Sequence, residues 1–258
     1  MPRNILAIHA HPDDIEILAA GTLAQLAAAG NNVTIVSMTP GDCGSRAHGP
    51  EELAAIRRRE AAAAARQIGA VYRCADFRDL AIFNDDASRR HVTELLREVR
   101  PDLVITASPV DYMSDHETTS ELARDACFAA SAPNYATRAG WPAPALPAIP
   151  HLYFMDPIGG VDREGRPVMA DFYVDIDRHF ETKRAMLAEH ASQREWLRAQ
   201  HGMDDYLITM ERWTRERGRL AGVALAEGFR QYKGHPYPDT PLLEELLGGV
   251  LRPAGLVI

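Results

Sequence analysis

Short apolar runs alternate with alanine- and leucine-rich segments along the first half of the chain, and this alternation limits the possible folds more than any other feature. The runs typical of buried strands lie at 4–10, 32–39, 70–75 and 101–108. The segments typical of helices follow them, at 15–30, 51–69, 88–100 and 116–131. Strands that alternate with helices form a mostly parallel sheet with helices on both faces. The predicted fold class is therefore α/β and Rossmann-like.

The second half of the chain lacks this regular alternation of predicted strands and helices. Residues 132–150 carry five prolines and predict a long irregular segment, in which Trp141 could line a substrate opening or an oligomer contact. Further strands are expected at 151–156 and 171–176, and helices at 177–200 and 204–223. No change in composition marks a domain boundary. We therefore expect a single domain over 1–258, in which 1–131 form a core and 132–258 complete the sheet and wall a substrate site.

Composition excludes several classes of function. The formal net charge of −8 argues against nucleic acid or an anionic membrane as the main partner. The three cysteines are widely spaced, which favours free thiols in a reducing compartment. No stretch reaches about 18 uninterrupted apolar residues, so a membrane span is not expected. These features predict a cytoplasmic protein that acts on a small molecule.

Polar residues crowd the point where the first predicted strand ends. Residues 9–14 read HAHPDD, with two histidines and two aspartates. Ligands of parallel sheets bind beyond the carboxyl ends of the strands. His11 offers an imidazole nitrogen and Asp14 a carboxylate, and both groups are common zinc ligands. The sequence thus suggests half of a metal site.

A catalytic zinc site needs about three protein ligands and one open position for water. A third ligand is therefore expected at another strand end. His116 lies after the fourth predicted strand, at the start of the next helix, with Asp115 beside it. The predicted ligands are His11, Asp14 and His116. They would hold Zn²⁺ or another divalent ion, and Asp115 could orient a ligand histidine.

Asp13 remains, and it could act as the general base. A bound metal lowers the pKa of its water to about 7, and a nearby carboxylate can take the remaining proton and later protonate a leaving amine. Taken separately, these residues have a simpler interpretation, since paired aspartates often cap a helix and a histidine can be a satisfied polar residue. His9 is expected to be a core or supporting residue. The combination favours metal-assisted hydrolysis of an amide or ester.

The segment AIHAHPDDIEILAAGTLAQLAAAG resembles the opening of the PIG-L/LmbE-like deacetylase family. The likeness extends to MTPGDCGS, ELAAIRRREAAAAARQIGA and PDLVITASPVDYMSDHETTS, and more weakly to later segments. The resemblance implies a zinc-dependent hydrolase that removes an acyl group, commonly acetyl, from an amino sugar. It also implies a Rossmann-like fold and frequent assembly into homo-oligomers. It matches His11, Asp14 and His116 to the zinc ligands and Asp13 to the general base, and adds Arg57 as a contact to substrate hydroxyls.

One position departs from the family pattern. The family's H-x-x-H is MSDH here, so Met113 stands in place of the first histidine. Methionine offers only a weak acceptor and no useful proton. Loss of one such donor costs about 2–4 kcal/mol of barrier. Replacement donors could be His190, His235, Tyr112 or Tyr237, and the sequence does not choose among them.

The sequence supports three alternative functions. The first is a zinc-dependent N-deacylase of an amino sugar or its glycoside. The second uses the same site on a non-sugar amide, a cyclic amide or an ester, and Met113 motivates it. The third is a non-catalytic Rossmann-like binding protein. The absence of G-x-G-x-x-G after the first strand disfavours dinucleotide binding in that case.

Overall fold

The computed structural model describes residues 1–138, 140–201 and 205–251. Its strands form one seven-stranded sheet in the order β3-β2-β1-β4-β5-β7-β6. The strands are β1 (Asn4–His9), β2 (Asn32–Ser37), β3 (Val71–Cys74), β4 (Leu103–Thr106), β5 (His151–Met155), β6 (Phe172–Asp175) and β7 (Ala226–Gln231). The first five are parallel, whereas β7 runs antiparallel to both of its neighbours. The predicted mostly parallel α/β fold is confirmed.

Eight α-helices surround the sheet in the described part of the chain. They are α1 (Asp14–Ala28), α2 (Pro50–Arg66), α3 (Asp86–Val99), α4 (Ser114–Ala130), α5 (Phe180–Ala188), α6 (Ala191–His201), α7 (Tyr206–Ala221) and α8 (Leu242–Leu247). Within the described ranges, none of them is both long and apolar enough to cross a membrane. The first four match the predicted helices to within a few residues.

Two hydrophobic clusters cover the two faces of the sheet. Residues of β1 alternate between them, as side chains on a strand must. Ile5 and Ala7 belong to the cluster that includes residues of α1 and α5. Leu6 and Ile8 belong to the cluster that includes residues of α3 and α4. Because both faces of β1 are buried, the strand reads as a continuous apolar run.

The second half of the chain differs from prediction in three places. The helix expected over 177–200 is two helices, since α5 ends at Ala188 and α6 starts at Ala191. That stretch holds no proline or glycine, so no local signal marks the break. Strand β7 and helix α8 were not predicted. In β7 the segment AEGFRQ mixes charges with Gly228, and a Cβ there would lie 2.4 Å from Asp156 Oδ2.

A buried ion pair ties α1, α5 and β7 together. Lys183 on α5 donates to Glu227 on β7 at 2.6 Å, and both side chains are 1% exposed. The Glu227 carboxylate also accepts the backbone N–H groups of Gly21 and Thr22 on α1, at 3.0 and 2.8 Å. Lys183 donates a second bond to the Ile17 carbonyl oxygen. Each charge is therefore fully partnered inside the protein.

Replacing Lys183 with alanine is expected to lower the free energy of unfolding by about 3–5 kcal/mol, because Glu227 would stay buried without its cation. Urea denaturation measures the change. The matched control is Arg215→Ala, which breaks the exposed pair between Arg215 and Glu211. That pair contributes at most about 0.5 kcal/mol. Equal effects of the two substitutions would contradict a structural role for the buried pair.

Candidate metal centre and active site

The three predicted metal ligands meet where β1 and β4 end. These strands are neighbours in the sheet, so the segments after them start side by side. His11 Nδ1 lies 3.3 Å from Asp14 Oδ2 and 3.3 Å from His116 Nε2. His116 Nε2 lies 3.4 Å from the same Asp14 oxygen. The three donor atoms thus form a nearly equilateral triangle.

This triangle has the size of a zinc site. Tetrahedral coordination with bonds of 2.0–2.1 Å separates any two ligand atoms by about 3.4 Å. His9 also lies close, and with Asp14 and His116 it forms another group of suitable metal ligands. However, His9 Nδ1 is only 2.7 Å from Asp14 Oδ2, a hydrogen-bond distance, and the His9 side chain is fully buried. The donor triangle of His11, Asp14 and His116 therefore fits a metal better.

Three carboxylates lie beside the far ring nitrogens of His11 and His116. Asp111 Oδ1 lies 3.1 Å from His116 Nδ1. Asp79 Oδ1 lies 3.1 Å from His11 Nε2, and Asp115 Oδ2 lies 3.5 Å from the same nitrogen. A carboxylate on the far nitrogen of a ligand histidine fixes its tautomer and raises its basicity. Asp115 was predicted in this position, whereas Asp79 and Asp111 were missed.

The Asp14 carboxylate places a negative charge beside the ring nitrogens of His9, His11 and His116. Burial raises the pKa of its carboxyl, but His116 and His9 lower it more, so the net pKa is well below the usual value. Asp14 Oδ2 also accepts the backbone N–H of His11 at 2.8 Å. The group is therefore a carboxylate at neutral pH, as a metal ligand must be.

Asp13 sits at the N-terminal end of α1 in a strained backbone conformation. Its φ of 103° is positive, which is uncommon for residues other than glycine, although aspartate and asparagine adopt it more often than most. Burial and the neighbouring Asp14 raise its pKa to about 6. The Tyr206 hydroxyl donates to Asp13 Oδ2 at 2.5 Å. A buried carboxylate with this pKa is ionised at neutral pH and is a stronger base than an exposed aspartate.

Tyr206 itself was missed by sequence reasoning. It lies 193 positions from Asp13 along the chain, at the start of α7. Burial and the Asp13 charge raise the pKa of its phenol well above the usual value, so it remains a donor at neutral pH. No sequence motif marked it, since a tyrosine at a helix start is typical of many unrelated positions.

A cavity of about 630 Å³ opens onto the cluster. His11, Asp13, Asp14 and His116 line it, and so does Arg57. The Arg57 guanidinium donates to the Gly44 carbonyl oxygen at 3.1 Å and also to the Gln193 side chain. The predicted substrate contact is thus placed at the cavity although its side chain is buried.

The candidate replacement donors occupy different places. Tyr112 lines the cavity, with its ring centroid 5.4 Å from that of His116, and Met113 lines it too. His190 is buried beneath it, with Nε2 3.3 Å from Glu16 Oε1. His235 is exposed and is not among the described lining residues, and Tyr237 donates to the Arg124 carbonyl oxygen instead. Tyr112 is the one of the four that the cavity reaches directly.

A known protein family matches the part of the chain that contains these site residues. Residues 6–127 match the family model described as PIG-L, GlcNAc-PI de-N-acetylase. The match runs from β1 to α4. The matched range includes every residue of the donor triangle as well as Asp13 and Arg57.

The similarity to individual proteins extends beyond residues 6–127. The chain is 27% identical to a 1D-myo-inositol 2-acetamido-2-deoxy-alpha-D-glucopyranoside deacetylase of Streptomyces griseus, over 74% of this chain and 75% of that protein. It is 28% identical to a 4-oxalmesaconate hydratase of Pseudomonas putida, over 74% of each. Two different reactions are therefore named among relatives of similar identity.

A solved structure is similar to this chain over most of the fold. The N,N'-diacetylchitobiose deacetylase of Pyrococcus horikoshii superimposes with a TM-score of 0.73. It is 27% identical, and the match covers 92% of this chain and 88% of that one. The likeness therefore includes the strands and helices that follow residue 127.

Proposed function

We propose that this protein is a zinc-dependent N-deacylase that hydrolyses the amide of an N-acylated amino sugar or its glycoside. The observation that carries the proposal is the donor triangle of His11, Asp14 and His116, with Asp13 beside it at the floor of one cavity. The named deacetylases among the relatives support the same reaction. His11, Asp14 and His116 would hold zinc, which would activate water and polarise a carbonyl oxygen when bound.

The chain's own groups supply the proton transfers. Asp13 can accept a proton from the attacking water and give it to the departing amine nitrogen as the carbon–nitrogen bond breaks. Asp111, Asp79 and Asp115 hold the two histidine rings in place. Arg57 sits at the cavity beside Gln193 and can donate to substrate hydroxyls.

Tyr206 adds a positioning role to this proposal. Its hydroxyl occupies one oxygen of Asp13, so the carboxylate has a fixed orientation toward the cavity. Replacing Tyr206 with phenylalanine is expected to lower kcat by about 10- to 100-fold, because a misplaced general base loses alignment with the reacting water. Steady-state kinetics measure kcat, with KM expected to change little.

The control for that prediction is Tyr153→Phe. The Tyr153 hydroxyl accepts the Leu243 N–H at 3.2 Å in the core, and this side chain does not line the cavity. The Tyr153→Phe variant also loses a hydrogen bond of a buried phenol. Because this bond is not at the cavity, kcat should stay close to the wild-type value. If Tyr206→Phe also keeps the wild-type kcat, Tyr206 does not position Asp13.

Hydration of an unsaturated acid is a second candidate. The hydratase relative is the observation that favours it. The charges at the cavity oppose it, since Asp13, Asp14, Asp79 and Asp205 line the space and Arg57 is the sole arginine or lysine among the described lining residues. A bound zinc would offset two of these negative charges, and the excess that remains favours a neutral amide over a substrate with several carboxylates.

The deciding experiment begins with metal content by elemental analysis of the untagged protein. About one zinc per chain is expected. The zinc-loaded protein is then assayed for amine release from N-acetylglucosaminides and from non-sugar amides, and for loss of absorbance from an unsaturated dicarboxylate. Amine release from the sugars supports deacylation, release from the other amides alone supports the broader amidase, and hydration alone overturns both.

A further inference from the structure

Apolar side chains line much of the cavity beyond the metal cluster. They come from α1, from the short 3₁₀ helix at Ile158–Gly160, and from α6 and α7. We call them the apolar wall: Ile17, Ile158, Trp196, Leu197, Met210 and Trp213. Each is in the described part of the chain and faces the same space as His11 and Asp13.

Helix α7 presents one continuous face to the cavity. Tyr206, Thr209, Met210 and Trp213 all line it, and their spacing of three, four and seven positions places them on one side of a helix. The bond from Tyr206 to Asp13 fixes the start of this face against the catalytic end. The wall is therefore held in register with the reacting centre.

Both tryptophans of the wall are seated on glycines. A Cβ at Gly44 would lie 3.5 Å from Trp196 Cδ1, and one at Gly159 would lie 3.7 Å from Trp213 Cζ2. Both indole side chains are only partly buried, so part of each ring still faces open space. A partly exposed aromatic ring in a concave site gains stability when an apolar group covers it.

Several of the hydrogen-bonding side chains beside this wall already have partners inside the protein. Arg57 and Gln193 bond to each other, and the Tyr206 hydroxyl donates to Asp13. Apart from the metal cluster and its carboxylates, the other polar side chains of the described lining are Cys43, Tyr112, Asp205 and Thr209. A polyol carries a hydroxyl on nearly every carbon, and each hydroxyl needs a partner when it loses water. The wall therefore suits hydrocarbon better than a second sugar or an inositol.

We propose that the substrate carries an apolar group of several carbon atoms, which packs against the apolar wall while its amide reaches the metal cluster. The inference rests on the proposed deacylase function and narrows its substrate class. The cavity volume of about 630 Å³ has room for both parts, since pockets of about 300–1,000 Å³ hold drug-sized ligands. The apolar group can arrive as the aglycone of a glycoside or as the acyl chain on nitrogen.

Two substrate series test the proposal and separate these sources. The first varies the aglycone of an N-acetylglucosaminide from methyl to octyl. The second varies the acyl chain of the methyl glycoside from acetyl to octanoyl. In one series kcat/KM is expected to rise about two- to fourfold per methylene until the wall is covered. No rise in either series overturns the proposal.

The matched pair of variants is Trp213→Ala and Trp141→Ala. Trp213 is part of the apolar wall, whereas Trp141 is 92% exposed and does not line the cavity. Trp213→Ala should remove most of the gain in kcat/KM with chain length. Trp141→Ala should keep the full gain. Trp213→Leu provides a second variant if the alanine protein does not fold.

A binding measurement keeps this test separate from the proposed function. If the wild-type protein releases no amine from any member of either series, the deacylase function fails. Calorimetry then compares the hexyl and methyl glycosides, and N-hexanoyl with N-acetyl, on the zinc-loaded wild-type protein. Tighter binding of a longer member, lost in Trp213→Ala, supports the apolar wall as a binding site. Equal affinities overturn it.

Discussion

Replacing Asp13 with asparagine is expected to lower kcat for amide hydrolysis by about 10²- to 10⁴-fold, the usual contribution of a general acid–base group. Asparagine has nearly the same shape and can still accept the Tyr206 hydroxyl, but it cannot take a proton from water. The backbone conformation at this position, with φ of 103°, is one that asparagine also tolerates. The substitution therefore removes the base and little else.

Zinc content distinguishes this outcome from a damaged site. Asp13 is not part of the donor triangle, so the variant should hold about one zinc per chain, as the wild-type protein does. Steady-state kinetics and elemental analysis on the same preparation give both values. An Asp13→Asn protein that keeps zinc and more than half of the wild-type kcat would exclude Asp13 as the base.

Replacing His116 with alanine is expected to abolish stable zinc binding and, with it, turnover. The triangle would lose one of its three donors, and Asp111 would lose the ring nitrogen that it contacts at 3.1 Å. Two remaining protein ligands do not make a closed or catalytic zinc site. Elemental analysis after dialysis should show far less than one zinc per chain, and kcat/KM should fall to the background of the assay.

A matched substitution separates the ligand from its neighbours. His9 is as close to Asp14 as any ligand but lies outside the preferred triangle. His9→Asn should therefore reduce zinc affinity by about 10- to 100-fold, the effect of losing a supporting contact, without removing the site. If His9→Asn loses zinc completely while His116→Ala or His11→Ala keeps it, the ligand set has been assigned wrongly.

The sequence predicted β1, β2 and β4 because each is a largely buried apolar run followed by a helix. The prediction that His11, Asp14 and His116 lie together follows from the same rule, since β1 and β4 are adjacent and their carboxyl ends share one edge. The distances agree with that expectation. The metal itself remains a prediction for elemental analysis.

The remaining features depend on tertiary contacts that leave no local trace. Tyr206 meets Asp13 only after α7 packs across the sheet, and Asp111 contacts His116 from a loop. Strand β7 carries Glu227, whose charge is satisfied by Lys183 and by α1 rather than by solvent. A charged residue in a strand argues against burial unless its partners are known, and those partners lie more than 40 positions away.

The two ends of the cavity come from separate stretches of sequence. The donor triangle and Asp13 lie within 6–127, whereas five of the six residues of the apolar wall follow that range. Reaction type and substrate choice can therefore diverge independently during evolution. An engineer who exchanged α6, together with the residues of α7 that follow Tyr206, would alter the apolar wall and leave the donor triangle, Asp13 and Tyr206 in place.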